Sequence, residues 1–156
     1  MLKFNNLGHL VPNKPISSDI IELEKYFVIE YSSIERSKIF EQYLRYSSDL
    51  KKICGDIEIK QWINGSFISR SQPRPNDIDL VSFIDKDIIQ TLGEELKPFT
   101  YPSCKNVYHG VDAYLTESND SIADYNMAYW HHQFDTTKRN LRNGKKLPKG
   151  FLEIIY

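Results

Sequence analysis

The segment WINGSFISRSQPRPNDIDLVSF, residues 62–83, links two apolar runs through a Gly-Ser step and a proline-containing connection. Its last part belongs to DIDLVSFI, residues 77–84, which is short, apolar and β-branched apart from Asp77 and Asp79 and therefore predicts a strand. Residues two apart on a strand point to the same face, with α-carbons roughly 6–7 Å apart. Two carboxylates in this arrangement repel each other, and burial in the strand removes part of their hydration. The pair therefore indicates either a polar turn that opens the strand or a site that binds a cation.

The Gly65-Ser66 step at the other end of the segment has the chemistry of a phosphate contact. Glycine lets the backbone approach a ligand closely, and serine adds a hydroxyl and an N–H group. A Gly-Ser dipeptide alone is a common turn, and Ser66 has no evident base beside it that would make it a nucleophile. Ten residues, 67–76, separate the step from Asp77, and they include Arg70. A strand, a Gly-Ser step, this spacing and two alternating aspartates occur together much more rarely than the Gly-Ser step or the aspartate pair occurs alone.

The flanking sequence predicts helices before and between the strands. Helices are expected over 18–27, from Ser32 to about Ile53, over 85–96 and over 118–134, and strands over 56–63, 77–84, 106–116 and 150–156. The residues expected near the helix starts are Ser17 or Ser18, Ser32 with Glu35 in a capping box, Asp85 or Asp87, and Ser118 or Asn119. This order predicts an α/β or α+β domain with a small mixed sheet flanked by helices.

Length and composition favour an ordinary globular protein. At 156 residues the chain has the size of a single domain, 1–156, with residues 1–16 as an extended N-terminal arm. A net charge of -1 favours neither duplex DNA nor an anionic membrane as a partner. The sequence contains neither an apolar run of about 20 residues nor the apolar core of a signal peptide. Cys54 and Cys104 are too few for a zinc site or a disulfide framework, so a cytoplasmic location is expected.

A basic segment precedes the last predicted strand. Between residues 138 and 149 there is no acidic residue, and the basic residues are Lys138, Arg139, Arg142, Lys145, Lys146 and Lys149. The segment is either a solvated loop or a patch that attracts a triphosphate or an RNA end. Gly144 and Pro148 predict a turn that could return the lysines towards the cleft.

The motif GSFISRSQPRPNDIDL, residues 65–80, resembles the signature of the DNA polymerase beta superfamily of nucleotidyltransferases. In that signature, Gly followed by Gly or Ser precedes an acidic-apolar-acidic-apolar strand by about this distance, and a third acidic residue lies on a later strand. Asp112 in GVDAYLT takes the third place, although many strands carry one exposed carboxylate. The resemblance covers about the central third of the chain.

A looser resemblance extends along the chain to short bacterial nucleotidyltransferase-like proteins. It rests on FNNLGHLVP, GSF, PNDIDLV, and YWHHQF followed by PKGFLEI. Related minimal nucleotidyltransferases are often found in toxin–antitoxin and phage-defence loci, so the resemblance implies a cognate toxin, antitoxin or defence partner.

The resemblance implies a role for each matching residue. Asp77 and Asp79 would hold Mg²⁺ or Mn²⁺, and Asp112 would complete the metal site and help to deprotonate the attacking hydroxyl. Gly65 and Ser66 would contact the terminal phosphates of a nucleoside triphosphate, and Arg70 is the first basic residue available to join them. Many active relatives have a basic, helix-forming run just after the Gly-Ser step, whereas Phe67, Ile68 and Ser69 stand there in this chain.

Two main hypotheses of function follow, from different classes. The first is a metal-dependent nucleotidyltransferase that moves a nucleoside monophosphate to a hydroxyl of a protein, an RNA or a small molecule. The second is a catalytically degenerate nucleotide-binding or antitoxin-like interaction module of the same fold. The three carboxylates favour the first hypothesis, and the altered segment after Ser66 favours the second. A metal-dependent phosphohydrolase is a third hypothesis.

Overall fold

A five-stranded mixed sheet forms the centre of the protein in the computed structural model, which describes residues 1–119, 122–139 and 142–156. The strands are β1 (Lys3–Phe4), β2 (Leu10–Val11), β3 (Pro15–Ser17), β4 (Lys60–Asn64), β5 (Ile78–Ile84), β6 (Val111–Glu117) and β7 (Phe151–Ile155). The central sheet has the order β3-β7-β4-β5-β6, and β1 pairs with β2 in a separate hairpin. Strand β4 runs antiparallel to both of its neighbours, whereas β5 and β6 are parallel and so are β3 and β7.

Helices cover both faces of this sheet. The α-helices are α1 (Ile20–Phe27), α2 (Ile34–Ile53), α3 (Lys86–Leu92), α4 (Cys104–Val107) and α5 (Ala123–Phe134), and 3₁₀ turns span Ile29–Tyr31 and Gly93–Phe99. The mixture of helices with a mixed sheet confirms the predicted α+β class. None of the helices in the described residues is both long and apolar enough to cross a membrane.

Helix α2 packs on one face of the sheet and buries a small polar cluster there. The hydroxyl of Tyr43 donates to Gln61 Oε1 across 2.9 Å, and the Gln61 amide nitrogen lies 3.1 Å from Ser47 Oγ and 3.2 Å from Ser82 Oγ. All four side chains are fully buried. Because each polar group in this cluster has a partner, α2 is fixed in one position relative to β4 and β5.

Helix α5 packs on the opposite face through aromatic rings. Trp130 lies 5.0 Å from Tyr114 on β6, and Phe134 lies 5.7 Å from Phe151 on β7, both between ring centroids. Trp62 on β4 contacts the Phe151 ring in turn. Side chains alternate between the faces of a strand, so Asp79 and Asp112 share the α5 face with Trp62 and Tyr114.

Two of the predicted helix caps are wrong by one or two residues. The cap of α1 is Asp19, whose carboxylate accepts from the N–H of Glu22 at 2.7 Å, rather than Ser17 or Ser18. The cap of α2 is Ser33, which accepts from the N–H of Arg36, because Ser32 has a φ of 48° and ends the preceding 3₁₀ turn. The expected Asp85 cap of α3 is confirmed.

The starts of two predicted strands and one predicted helix also differ from the structure. Strand β4 begins at Lys60 rather than at residue 56, because Asp56 has a positive φ and continues the turn that ends α2. Strand β6 begins at Val111, because α4 occupies the first part of the range 106–116. Helix α5 begins at Ala123 without a side-chain cap, so the expected cap at Ser118 or Asn119 is wrong, and residues 120 and 121 of the predicted helix lie outside the described residues.

The N-terminal arm, residues 1–16, lies against the sheet and the loop after β4. Strand β3 extends the sheet by pairing with β7, and Gly150 passes so close to the arm that a β-carbon there would lie 2.3 Å from the Pro12 carbonyl oxygen. The Gly8 carbonyl accepts from the N–H of Arg70 at 2.8 Å. The arm therefore positions the loop that follows the Gly-Ser step.

Candidate active site

Three polar side chains form a row across the sheet on the face that carries α5. Asp79 on β5 is paired in register with Asn64 on β4 and with Asp112 on β6. Neighbouring strands lie roughly 4.8 Å apart, so register alone brings these groups together. Asp77 precedes Asp79 by two residues and is close enough for its charge to affect the pKa values of Asp79 and Lys105. The structure thus places the three predicted carboxylates in one neighbourhood.

The Asp79 carboxylate is partly buried. Burial raises its pKa, and the charges of Asp77 and Asp112 raise it further, while Lys138 and Lys149 oppose the shift. An excess of negative charge at a sheltered carboxylate is relieved when a cation approaches.

Gly65 joins the carboxylates to the loop after β4. Its φ is 86°, and a β-carbon at this position would lie 2.0 Å from Asp79 Oδ2. The sequence predicted a glycine whose backbone approaches a ligand closely, and the close approach in the structure is to the Asp79 side chain. Any larger residue at position 65 must therefore displace the carboxylate.

Lys105 on α4 forms an ion pair with Asp112. Its ammonium nitrogen lies 2.7 Å from Asp112 Oδ1 and 2.8 Å from Oδ2. The hydrogen bond to Asp112 raises the pKa of Lys105, and the charge of Asp77 contributes as well. Sequence reasoning missed this lysine, because the pattern of residues 106–116 predicts one strand, whereas a helical turn at its start carries Lys105 over the carboxylate.

The donor set fits a hard divalent cation. Three carboxylates and the amide oxygen of Asn64 are all oxygen donors, which Mg²⁺ and Mn²⁺ prefer. Asn64 Oδ1 is buried and accepts no hydrogen bond from the described groups. Within the described ranges, no three acidic, histidine or cysteine side chains already converge as a metal site, and Asp112 is engaged by Lys105. The donor atoms are therefore of the kind that a divalent metal ion prefers, but in this structure they do not yet converge on one point.

Two cavities of about 260 and 320 Å³ meet at Gly65. The smaller, which we call the hydroxyl cavity, is lined by His9, Gly65, Ser66, Ser69, Ser71, Gln72, Thr137, Lys138 and Lys149. The larger, the aromatic cavity, is lined by Asn64, Gly65, Asp79, Tyr114, Tyr129, Trp130, Gln133, Phe134, Thr136, Thr137, Lys138, Lys146 and Lys149. Because they share Gly65, Thr137 and two lysines, one elongated ligand can occupy both.

The basic segment returns to these cavities after α5. Thr136 pairs with Pro148 in an antiparallel bridge, and the N–H of Lys149 donates to the Asp135 carbonyl at 2.8 Å. Burial and the charge of Lys138 lower the pKa of Lys149 to about 8, and Asp79 opposes the shift. The predicted turn thus brings lysines to the cleft, although residues 140 and 141 of the segment lie outside the described residues.

Arg36 on α2 organises the loop between Ser66 and Asp77. The side chain is fully buried, and its guanidinium donates to backbone carbonyls, two of them Phe67 at 2.6 Å and Ser69 at 3.1 Å. The loop forms turns rather than a helix after the Gly-Ser step. Sequence reasoning missed Arg36, because an arginine on an amphipathic helix usually faces solvent.

Arg70 and Ser66 differ in their positions. Ser66 lines the hydroxyl cavity. The guanidinium of Arg70 lies instead 2.6 Å from the Glu30 carboxylate and 4.1 Å from the centre of the Phe4 ring. The described lining of the two cavities does not include Arg70, so the structure does not bring this predicted phosphate contact to the site.

Comparison with known proteins gives one match. No curated protein and no solved structure matches the chain. Residues 2–155 match the family of unknown function DUF6932, which covers nearly the whole sequence. The chain therefore belongs to the family of unknown function DUF6932.

Proposed function

We propose that the protein is a metal-dependent nucleotidyltransferase that transfers a nucleoside monophosphate from a nucleoside triphosphate to a hydroxyl group. The observation that carries this proposal is the position of Gly65, which touches the Asp79 carboxylate and lines both cavities. An acidic cluster thereby adjoins a hydroxyl- and lysine-lined cavity of a size that suits phosphates. The resemblance of residues 65–80 to the polymerase beta signature supports the same assignment and the corresponding fold.

The hydroxyl cavity would bind the terminal phosphates. Hydroxyls of Ser66, Ser69 and Thr137 provide hydrogen-bond donors, and Lys138 and Lys149 provide positive charge. These lysines take the place of the basic run that relatives carry after the Gly-Ser step. The same lysines would stabilise the negative charge of the departing pyrophosphate.

Asp77, Asp79 and Asp112 would hold Mg²⁺ or Mn²⁺, with the Asn64 amide oxygen beside them. The bound metal supplies charge neutralisation at the α-phosphate and lowers the pKa of the acceptor hydroxyl. In the transfer, the acceptor oxygen bonds to the α-phosphorus, the bond from that phosphorus to the bridging oxygen breaks, and pyrophosphate leaves. Asp112 takes the hydroxyl proton, and Lys105 keeps Asp112 oriented between turnovers.

A second candidate is a catalytically inactive nucleotide-binding module that holds a partner protein. One observation favours it specifically, because Lys105 neutralises Asp112 where an active enzyme would need a free carboxylate. Under this alternative the cognate partner would be a toxin, an antitoxin or another defence protein, and the protein would act in the cytoplasm.

Labelled nucleoside triphosphates, with the label in the α-phosphate, test the proposal. The protein is incubated with each of them, Mg²⁺ or Mn²⁺ and a cell lysate. We expect label on protein, RNA or a small molecule, and loss of at least about a hundredfold in rate for Asp77→Asn/Asp79→Asn. Asp87→Asn, which changes an exposed aspartate on α3, is the matched control and should label normally.

Three outcomes separate the hypotheses. Free nucleoside monophosphate without labelled acceptor would indicate a phosphohydrolase. Tight binding of a partner protein without transfer, unchanged in Asp77→Asn/Asp79→Asn, would indicate the interaction module. Labelling that the double variant retains in full would refute the assignment of these carboxylates.

A further inference from the structure

Four aromatic rings form a row, and three of them, Tyr114, Trp130 and Tyr129, line the aromatic cavity. Tyr114 lies two residues beyond Asp112 on the same face of β6. Its ring is stacked on Tyr101 at 5.6 Å and contacts Trp130 at 5.0 Å, and Trp130 contacts Tyr129 at 5.4 Å, all between centroids. We call these four residues the aromatic row.

The two ends of the row are open to solvent. Tyr101 is 44% exposed and Tyr129 is 48% exposed, whereas Tyr114 and Trp130 are partly buried against the core. Tyr129, Tyr114 and Trp130 also line the aromatic cavity, so a planar ligand in the cavity can stack against these rings.

Lysine side chains lie near both ends of the aromatic row. Lys105 lies 5.3 Å from the centre of the Tyr101 ring, and Lys138, Lys146 and Lys149 line the cavity that also contains Tyr129 and Trp130. Aromatic rings between cations match a chain of bases linked by phosphates. A nucleobase is similar in size to a Tyr or Trp ring, so a row of four rings provides room for more than one base.

We infer that the aromatic row binds the 3′ end of a single-stranded polynucleotide as the acceptor, and places its terminal hydroxyl beside Asp112. This inference rests on the proposed nucleotidyltransferase function. The terminal oxygen bonds to the α-phosphorus of the nucleoside triphosphate, pyrophosphate leaves, and the hydroxyl proton passes to Asp112 and then to solvent. The strand is extended by one nucleotide.

Binding of labelled oligonucleotides in EDTA, without nucleoside triphosphate, tests the row independently of catalysis. The probes are single-stranded RNA and DNA 12-mers and the same strands annealed as duplexes, followed by fluorescence anisotropy. We expect Tyr129→Leu and Tyr101→Leu each to raise the Kd for single strands about tenfold, because leucine keeps bulk but lacks a stacking face. Tyr125→Leu is the matched control for Tyr129→Leu, since Tyr125 is 68% exposed on the same helix and, unlike Tyr129, is not among the residues that line the cavity.

The results distinguish the inference from the proposed function. Single strands that bind more weakly to both leucine variants, and duplexes that bind more weakly than single strands, support the row. Equal binding by the wild type and both variants, with unchanged melting temperatures, overturns it. Asp77→Asn/Asp79→Asn should still bind single strands but fail to extend them. If the wild type binds strands through the row yet extends none with any triphosphate and Mg²⁺, the transfer proposal fails while the binding surface stands.

Discussion

The two sides of Gly65 are built in different ways. On one side, strand register places Asp79 between Asn64 and Asp112, so a few hydrogen-bonded residues fix the acidic groups. On the other side, the hydroxyl cavity combines the N-terminal arm, the loop after β4 and the segment after α5. The acidic side is therefore determined by the backbone of the sheet, whereas the basic side depends on how three distant segments pack.

The largest effect should come from Arg36, because it holds the loop on the basic side. Arg36→Met removes a buried guanidinium and leaves several loop carbonyls without donors. We expect a loss of about 3–5 kcal/mol in the free energy of unfolding, measured by urea denaturation. Arg45→Met on the same helix is the control, and its exposed ion pair with Asp49 should be worth no more than about 1 kcal/mol. Equal costs for the two variants would contradict the assigned role of Arg36.

Gly65 itself tests how closely the two sides are joined. Gly65→Ala should lower the rate of nucleotidyl transfer at least about a hundredfold, because the new β-carbon displaces the Asp79 carboxylate. Gly55→Ala is a control for backbone strain alone, since Gly55 has the same φ of 86° and a β-carbon there would have no neighbour within 4 Å. Similar activity in the two variants would show that the contact with Asp79 is unimportant.

The pH dependence of stability and of nucleotide binding should come from Lys149 on the basic side. The folded-state pKa of Lys149, about 8, lies below the ordinary value of 10.5, so the unfolded chain binds more protons between these values. Stability should therefore rise as pH increases from about 8 to 10.5, relative to Lys149→Met. Over the same range, affinity for a nucleoside triphosphate should fall about tenfold in the wild type, because the ammonium charge that would pair with a phosphate is lost. A flat binding profile in the wild type, measured by calorimetry, would rule out Lys149 as a phosphate ligand.

Substitution of Lys105 should have the smallest effect of these changes, and the effect should be confined to the acidic side. Its ion pair with Asp112 is partly exposed, with 42% and 13% of the two side chains accessible. Lys105→Gln should change the free energy of unfolding by no more than about 1 kcal/mol. It should also lower the Mg²⁺ concentration needed for half-maximal activity, because the lysine no longer competes for the carboxylate. Lys97→Gln, which removes an exposed ion pair with Glu94, should leave the Mg²⁺ requirement unchanged.

The contrast between the two sides also explains what could be predicted from sequence. Alternation located β5 to within one residue and predicted that Asp77 and Asp79 share a face; in the structure Asp77 directly precedes the strand, and Asp79 is in register with Asp112. Lys105 and Arg36, which sequence reasoning missed, lie on helices and reach their partners through tertiary packing. The periodicity of a sequence reflects local structure and does not predict such long-range contacts. On the basic side, the only signal in the sequence was the concentration of positive charge between Lys138 and Lys149.

Calorimetric titration of a nonhydrolysable nucleoside triphosphate, with and without Mg²⁺, tests the central claim that both sides form one site. The wild type is compared with Asp77→Asn/Asp79→Asn and with Lys138→Met/Lys149→Met. Both double variants should bind the Mg²⁺ complex at least about tenfold more weakly, and the aspartate variant should lose the Mg²⁺ dependence. Wild-type affinity in both variants, with the same response to Mg²⁺, would contradict the claim that the two sides form one site.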